Sequence, residues 1–186
     1  FWLKFWTPHG GASAECGAPF LLMIQCVLVV NNQGKPRLQR FYTDTTPQRQ
    51  QEITKDIYGV VSKRNDDTCC CFAEDESLFG PGHKIVYRHF ATLYFIFVVD
   101  EAESELGILD LIQVLVQVLD SCFENVCELD LIYHYDKVNY ILDEVVMSGM
   151  VLETNVDSLL GAINASKKAE AETTSFFFVG QVGAAA

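Results

Sequence analysis

The side chains that could carry catalysis or hold a metal are few and scattered along the sequence. The four histidines, His9, His83, His89 and His134, share no metal-ligand spacing, and a lone histidine in a half-buried element is more often structural. A run of four carboxylates between Asp100 and Glu105 crowds the start of a predicted helix, where the helix dipole favours anions. Acid–base catalysis would need two acids in unequal environments across a cleft. No phosphate-loop, nucleophile-elbow or zinc-protease motif occurs, so the sequence predicts neither an enzyme nor a metal or cofactor site.

A cluster of basic side chains is better suited to recognising a ligand. Lys35, Arg37 and Arg40 lie within six residues, and Arg88 lies in a later predicted strand. An arginine beside an apolar surface can bind a carboxylate or a phosphate through two parallel hydrogen bonds. The alternative is an ordinary solvated strand pair, and the residue types alone leave both interpretations open.

The charge of the chain is concentrated in one part of it. The 186 residues include 13 basic and 25 acidic side chains, for a net charge of -12. Residues 1–99 carry 10 basic and 9 acidic side chains, whereas residues 100–157 carry 14 acidic side chains and a single basic one, Lys137. This balance argues against a nucleic-acid-binding protein, which needs a basic face. The seven cysteines are odd in number and lack a Cys-x-x-Cys pair, so they predict neither a disulfide framework nor a zinc site.

Hydrophobic patterning predicts an α+β fold in one domain. Short apolar or alternating segments predict strands, and spacings of three and four residues predict helices. The predicted strands are 23–30, 37–42, 69–72, 85–89 and 92–99, and the predicted helices are 47–63, 104–123, 128–148 and 154–168. Consecutive strands joined by short connections require antiparallel pairing, and helices gathered at the end must cover a face of the sheet. The helix after Ser104 is apolar on nearly every side, so we expect one side to lie on the sheet and the other to need a partner.

The two ends of the chain look different from the rest. Residues 1–22 lack the pattern of a secretory signal, and Met23 directly precedes a strong strand pattern. We therefore expect 1–22 to be a non-native or upstream extension and 23–168 to form the domain. Residues 169–186 lack a clear period and end in small residues, so we expect a flexible tail there.

Several longer motifs resemble a known family. The segments 31–42 (NNQGKPRLQRFY), 86–95 (VYRHFATLYF) and 123–132 (FENVCELDLI) closely resemble the small, or sigma, subunits of clathrin-adaptor-type complexes. Segments 103–113 (ESELGILDLIQ) and 149–155 (GMVLETN) look most like the adaptor protein complex 3 branch. The resemblance runs from Met23 to about Lys168, and the Asn-Val-Cys-Glu-Leu-Asp run is its most specific part.

This resemblance implies a longin-like fold, a five-stranded antiparallel sheet flanked by helices. It also implies a non-catalytic subunit of a heterotetrameric vesicle coat, with a large delta-like adaptin and beta and mu subunits as partners. Such complexes act in intracellular protein transport. They lie on the cytoplasmic side of Golgi and endosomal membranes and coated vesicles, and they bind acidic dileucine signals in cytosolic tails of membrane cargo. The resemblance implies no cofactor and no nucleic-acid partner.

The resemblance also assigns candidate site residues. The arginine that meets the acidic position of the signal falls on Arg37. The positions lining the dileucine pocket fall on Ala91, Leu93, Val116, Asn125, Val126, Leu129 and Leu131. Phe90 stands where a tyrosine lies in other members. These side chains are mostly small or aliphatic, as a leucine pocket requires.

Two alternatives remain at this stage. A longin-type subunit of another trafficking complex, such as a coatomer zeta-like protein, would share the fold, although the Asn-Val-Cys-Glu-Leu-Asp run favours the sigma family. A small hydrolase or transferase is the other class, but the sequence offers no nucleophile–base arrangement for one.

Overall fold

A five-stranded antiparallel sheet forms the centre of the protein. The computed structural model describes residues 24–63, 72–74, 79–80 and 82–182, with side chains as far as 169. The strand order is β2-β1-β5-β4-β3, and every neighbouring pair is antiparallel. The strands are β1 (Ile24–Asn31), β2 (Pro36–Phe41), β3 (Phe72–Glu74), β4 (His83–Phe90) and β5 (Leu93–Asp100).

The described helices lie on both faces of this sheet. They are α1 (Pro47–Val61), α2 (Glu105–Phe123), α3 (Glu128–Tyr133), α4 (Tyr135–Val145) and α5 (Val156–Val182). A small antiparallel hairpin of β6 (Val146–Met147) and β7 (Met150–Val151) joins α4 to α5. The predicted α+β fold, a five-stranded antiparallel sheet flanked by helices, is confirmed.

The interior strand β1 shows why the sheet is covered on two sides. Its side chains alternate between the faces of the sheet. Cys26 and Leu28 pack in a cluster with Ile53 and Ile57 of α1. The intervening Val27 belongs to a second cluster that includes the helices after the sheet. Burial raises the pKa of the Cys26 thiol far above its usual range, so this cysteine is a core residue and not a reactive one.

Helix α2 is covered by the chain itself, which corrects the expectation that its second side needs a partner. Ile108, Leu111 and Val118, on the side predicted to need one, are buried in the same cluster as residues of α4 and α5. Helices α4 and α5 therefore pack on the apolar surface of α2 together with the sheet. By length and apolar composition α2 could also cross a bilayer, but its buried face identifies it as the core helix of this fold. Its most exposed apolar side chain is Leu106, which is 70% exposed.

Three predicted elements differ in their limits. The helix predicted over 128–148 divides at His134 into α3 and α4, and its end forms β6. Helix α5 continues to Val182, past Lys168 where the sequence predicts its end, through a segment without proline or glycine before Gly180. The strand predicted at 69–72 begins at Phe72, and its first three residues lie outside the described ranges. The expectation for residues 1–22 also falls outside them.

Candidate functional site

A cavity of about 290 Å³ opens at the end of the sheet where β4 turns into β5. It lies between that turn, the second half of α2 and the link from α2 to α3. Its walls are mainly apolar and carry a few polar groups at one side. The lining residues are Phe90, Ala91, Thr92, Leu93, Phe95, Val116, Asp120, Val126, Cys127 and Glu128.

The β4–β5 turn shapes one wall of the cavity. Ala91 has a φ of 52°, a left-handed conformation that directs the chain sharply from β4 into β5. The ring of Phe90 packs edge-to-face on that of Phe95, with centroids 5.8 Å apart. The guanidinium of Arg88 lies 5.5 Å from the Phe90 ring centroid and donates to Gln113 on α2. The predicted basic residue Arg88 is therefore engaged in fastening this wall to α2.

The link between α2 and α3 forms the opposite wall. Glu124 and Asn125 both have positive φ values, which end α2 abruptly and turn the chain back. Asp120 Oδ1 then accepts a hydrogen bond from the Val126 backbone N–H at 3.1 Å. This bond fixes the segment that carries Val126 to the last turn of α2. The wall is thus held by side chain–backbone bonds and not by packing alone.

A reciprocal cap starts α3 beside the cavity. The Cys127 side chain accepts from the Asp130 backbone N–H, and the Cys127 N–H donates to Asp130 Oδ2 at 2.9 Å. Hydrogen bonds from the Cys127 side chain and then its backbone hold the pKa of the Asp130 carboxyl below its usual value. This arrangement is a capping box with cysteine in place of serine or threonine. It fixes the orientation of the next residue, Glu128.

Arg37 reaches this site through an ion pair with Glu128. Its Nε donates to Glu128 Oε1 at 2.7 Å, and its Nη2 lies 2.6 Å from the same oxygen in the ion pair. The Asn31 side-chain amide donates to the same oxygen at 3.0 Å. Asn31 is buried, and its Oδ1 accepts from the backbone N–H groups of Gln33 and Lys35. One asparagine therefore organises the β1–β2 turn and ties it to the start of α3.

The structure brings together some of the predicted site residues and separates others. Ala91, Leu93, Val116 and Val126 line the cavity, with Arg37 connected to it through Glu128. Three predicted pocket residues do not line it. Asn125 lies in the tight link between helices, Leu129 is 56% exposed, and Leu131 is fully buried in the core.

Several lining residues lie outside the predicted set. Phe95, Thr92, Asp120, Cys127 and Glu128 also face the cavity. Glu128 lies within the Asn-Val-Cys-Glu-Leu-Asp run, but its role depends on Arg37, 91 positions away, which no local pattern reveals. Among the described residues, no three His, Cys, Asp or Glu side chains converge as a metal site would require.

The fold and this cavity define a class of small α+β domain, with an apolar recess next to a paired arginine and acidic groups engaged in local bonds. Comparison with known proteins is consistent with that class. The chain belongs to the clathrin adaptor complex small chain family, whose sequence model matches residues 23–170. The resemblance seen in the sequence is thereby confirmed.

Relatives in distant organisms point to one branch of this family. The chain is 59% identical over 149 residues to human AP-3 complex subunit sigma-2, covering 80% of this chain and 77% of the human protein. It is 46% identical over 157 residues to AP-3 complex subunit sigma of Arabidopsis thaliana, covering 84% and 94%. It also superimposes on a chain of a homology model of the full-length AP-3 complex, with a TM-score of 0.64 and 39% identity. That match covers 82% of this chain and 98% of the other, and it agrees with the longin-like fold expected of adaptor small subunits.

Proposed function

We propose that this chain is the small subunit of an AP-3-type adaptor complex and helps to bind acidic dileucine signals of membrane cargo. Membership of the adaptor small chain family makes it a component of vesicle trafficking. The observation that carries the finer proposal is the apolar cavity beside Arg37. In this proposal the cavity receives the two leucine side chains and Arg37 meets the acidic residue that precedes them.

The size and lining of the cavity suit aliphatic side chains. Ligand pockets for drug-sized molecules usually enclose about 300–1,000 Å³, and this cavity, at about 290 Å³, is at the lower end of that range. Leu93, Val116 and Val126 offer it a branched aliphatic surface, and Phe90 and Phe95 close its inner side. Burying apolar side chains there would be favourable, at about 25 cal/mol for each Å² removed from water.

The ionisable groups of the cavity support a non-catalytic role. Asp120 accepts from the backbone at Val126, Cys127 belongs to the cap of α3, and Glu128 accepts from Arg37. Each is therefore committed to holding the described structure. A nucleophile needs an adjacent base that takes its proton, and these three side chains offer no such pair. We infer a binding role without catalysis.

The similarity to a chain of the AP-3 complex supports assembly with other adaptor subunits. We propose that the chain assembles with a large delta-like subunit and with beta and mu subunits. The complex would lie on the cytoplasmic face of Golgi and endosomal membranes. Exposed apolar side chains of the β6–β7 hairpin, Met147, Met150 and Val151, followed by Leu152, provide a surface that such assembly can cover. The AP-3 sigma relatives favour this proposal over a coatomer zeta-like subunit.

The proposed binding can be tested with peptides and the assembled complex. Fluorescence anisotropy with a labelled acidic dileucine peptide should show saturable binding, and a peptide with both leucines changed to serine should not bind. Leu93→Ser should weaken binding because it places a hydroxyl in the apolar wall of the cavity. Leu106→Ser changes an exposed leucine away from the cavity and is the matched control. Equal affinity for both peptides would contradict the proposed function.

A further inference from the structure

Glu128 connects the two parts of the proposed signal site. Its side chain lines the cavity, and its Oε1 accepts a hydrogen bond from Arg37 Nε and lies within ion-pair distance of Arg37 Nη2. The pair is largely withdrawn from solvent, with the two side chains 21% and 27% exposed. Charge-assisted bonds of this length in a partly buried setting are among the stronger polar contacts in proteins. The arginine assigned to the acidic position of a signal therefore already holds a carboxylate of its own chain.

The geometry leaves only part of the guanidinium for a ligand. Arginine has five N–H donors in a planar fork, and the edge formed by Nε and Nη2 faces Glu128. Within the described residues, no acceptor for Arg37 Nη1 is present. A peptide carboxylate has two ways to bind here. It can use the remaining donors close to the negative charge of Glu128, or it can displace Glu128 and leave it with the Asn31 amide as donor.

We propose that Glu128 is a specificity-determining residue that weakens the preference of this site for an acidic residue in the signal. The inference rests on the proposed function. In either mode of binding, the resident carboxylate opposes the incoming one, by repulsion or by the loss of its own bonds. A neutral residue at the same position of the peptide meets neither penalty. The affinity for acidic and neutral peptides therefore differs less than the presence of Arg37 alone would suggest.

Asn31 makes this competition a fixed property of the fold. Its amide donates to Glu128 while its carbonyl oxygen holds the β1–β2 turn that precedes Arg37. The cap of α3 fixes Glu128 from the other side. Glu128 therefore cannot swing away without breaking bonds in two elements. This distinguishes it from a mobile surface carboxylate, whose charge would be largely screened by solvent.

Glu128→Gln in the assembled complex tests the proposal directly. The glutamine keeps an oxygen that can accept from Arg37 but removes the negative charge. The readout is the ratio of the dissociation constants of two dileucine peptides, one with Gln and one with Glu at the acidic position. We expect Glu128→Gln to raise this ratio roughly three- to tenfold, as the removal of one charge about 6 Å away predicts. Asp110→Asn makes the same change of net charge at an exposed residue of α2 that does not line the cavity and should leave the ratio unchanged.

An unchanged or lower ratio in Glu128→Gln would overturn the inference. The wild-type complex gives a second measurement that needs no variant. It should prefer the acidic peptide by less than about fivefold, because an unopposed charge-assisted bond would give about tenfold or more. A larger wild-type preference would also overturn the inference. Binding that ignores the leucine pair would instead refute the proposed function and this inference with it, whereas dileucine-dependent binding with an unchanged ratio would refute only the inference.

Discussion

Replacing Arg37 with glutamine removes the positive charge that we propose meets the acidic residue of the signal. In the structure, Arg37 Nε donates to Glu128 Oε1 at 2.7 Å, and Arg37 Nη2 lies 2.6 Å from the same oxygen. The variant loses these contacts and leaves Glu128 with the Asn31 amide as its described donor. An acidic peptide then meets an unbalanced carboxylate beside the cavity. Arg37→Gln therefore removes the attraction between Arg37 and the acidic residue of the peptide, and it leaves the repulsion between that residue and Glu128.

The expected loss can be estimated from these contacts. A hydrogen bond to a charged group contributes about 1.5–3 kcal/mol, which corresponds to a roughly ten- to hundredfold change in affinity. We expect the dissociation constant of an acidic dileucine peptide to rise by that factor in Arg37→Gln. The same peptide with Gln at the acidic position should lose much less, because it does not meet the charge of Glu128. Anisotropy titration of the assembled complex at fixed ionic strength measures both values.

Arg40→Gln provides the matched control. Arg40 lies on the same strand, and its Nη2 also pairs with a carboxylate, that of Asp143, at 2.6 Å. This pair lies outside the cavity next to Arg37, so peptide affinity should stay within about twofold of wild type. The control separates loss of the local charge from a general effect of removing an ion pair. Equal weakening in both variants, or none in either, would refute the assignment of Arg37.

Four further predictions concern the scaffold that holds the site. Gly34→Ala should destabilise the fold by about 1–3 kcal/mol in urea unfolding, since Gly34 has a φ of 76° and an added Cβ would lie 2.6 Å from Tyr58 Cδ1. A Cβ added at Gly59, inside α1, would have no other atom within 4 Å, so Gly59→Ala should stabilise the fold by about 0.5–1 kcal/mol. Lys137→Met should lower the free energy of unfolding by about 1–2 kcal/mol. Lys137 Nζ donates to the Cys122 carbonyl oxygen at 2.7 Å and lies 3.8 Å from the ring centroid of Phe123, both in the last turn of α2. Lys137→Arg should retain part of that stability. Hydrogen bonds from Cys127 lower the pKa of Asp130, so its carboxylate contributes stability above its unfolded pKa, and this contribution is lost as pH falls through its folded pKa. Asp130→Asn should therefore flatten the acid side of the stability profile below about pH 4.

The parts of the fold with strong local patterns were predictable from the sequence. The strand predicted at 23–30 is an unbroken apolar run, which is typical of a strand covered on both faces, and the structure places α1 on one face and the later helices on the other. Gly34, a residue type that favours turns, lies between two predicted strands and has a positive φ. These features depend on residues that are close in sequence, where periodicity and turn chemistry apply directly.

The features that were not predictable depend on distant residues. The sequence indicated one helix over 128–148, but tertiary packing divides it at His134 and turns its end into a strand. The cover of α2 by α4 and α5 required knowing where those helices pack. The ion pair between Arg37 and Glu128 joins a strand to a helix start far along the chain. Residue types suggested an anion-binding arginine, but only the three-dimensional arrangement shows which carboxylate already holds it.

Photocrosslinking most directly tests the claim that the cavity receives the two leucines. A dileucine peptide carrying a diazirine leucine analogue at either leucine position is irradiated with the assembled complex, and the crosslinked residues are identified by mass spectrometry. If the cavity receives the two leucines, we expect crosslinks on this chain at Leu93, Val116 or Val126, and we expect them to disappear when excess unlabelled peptide is added. Crosslinks that are competed by unlabelled peptide but fall only on another subunit, or on this chain away from the cavity, would contradict it.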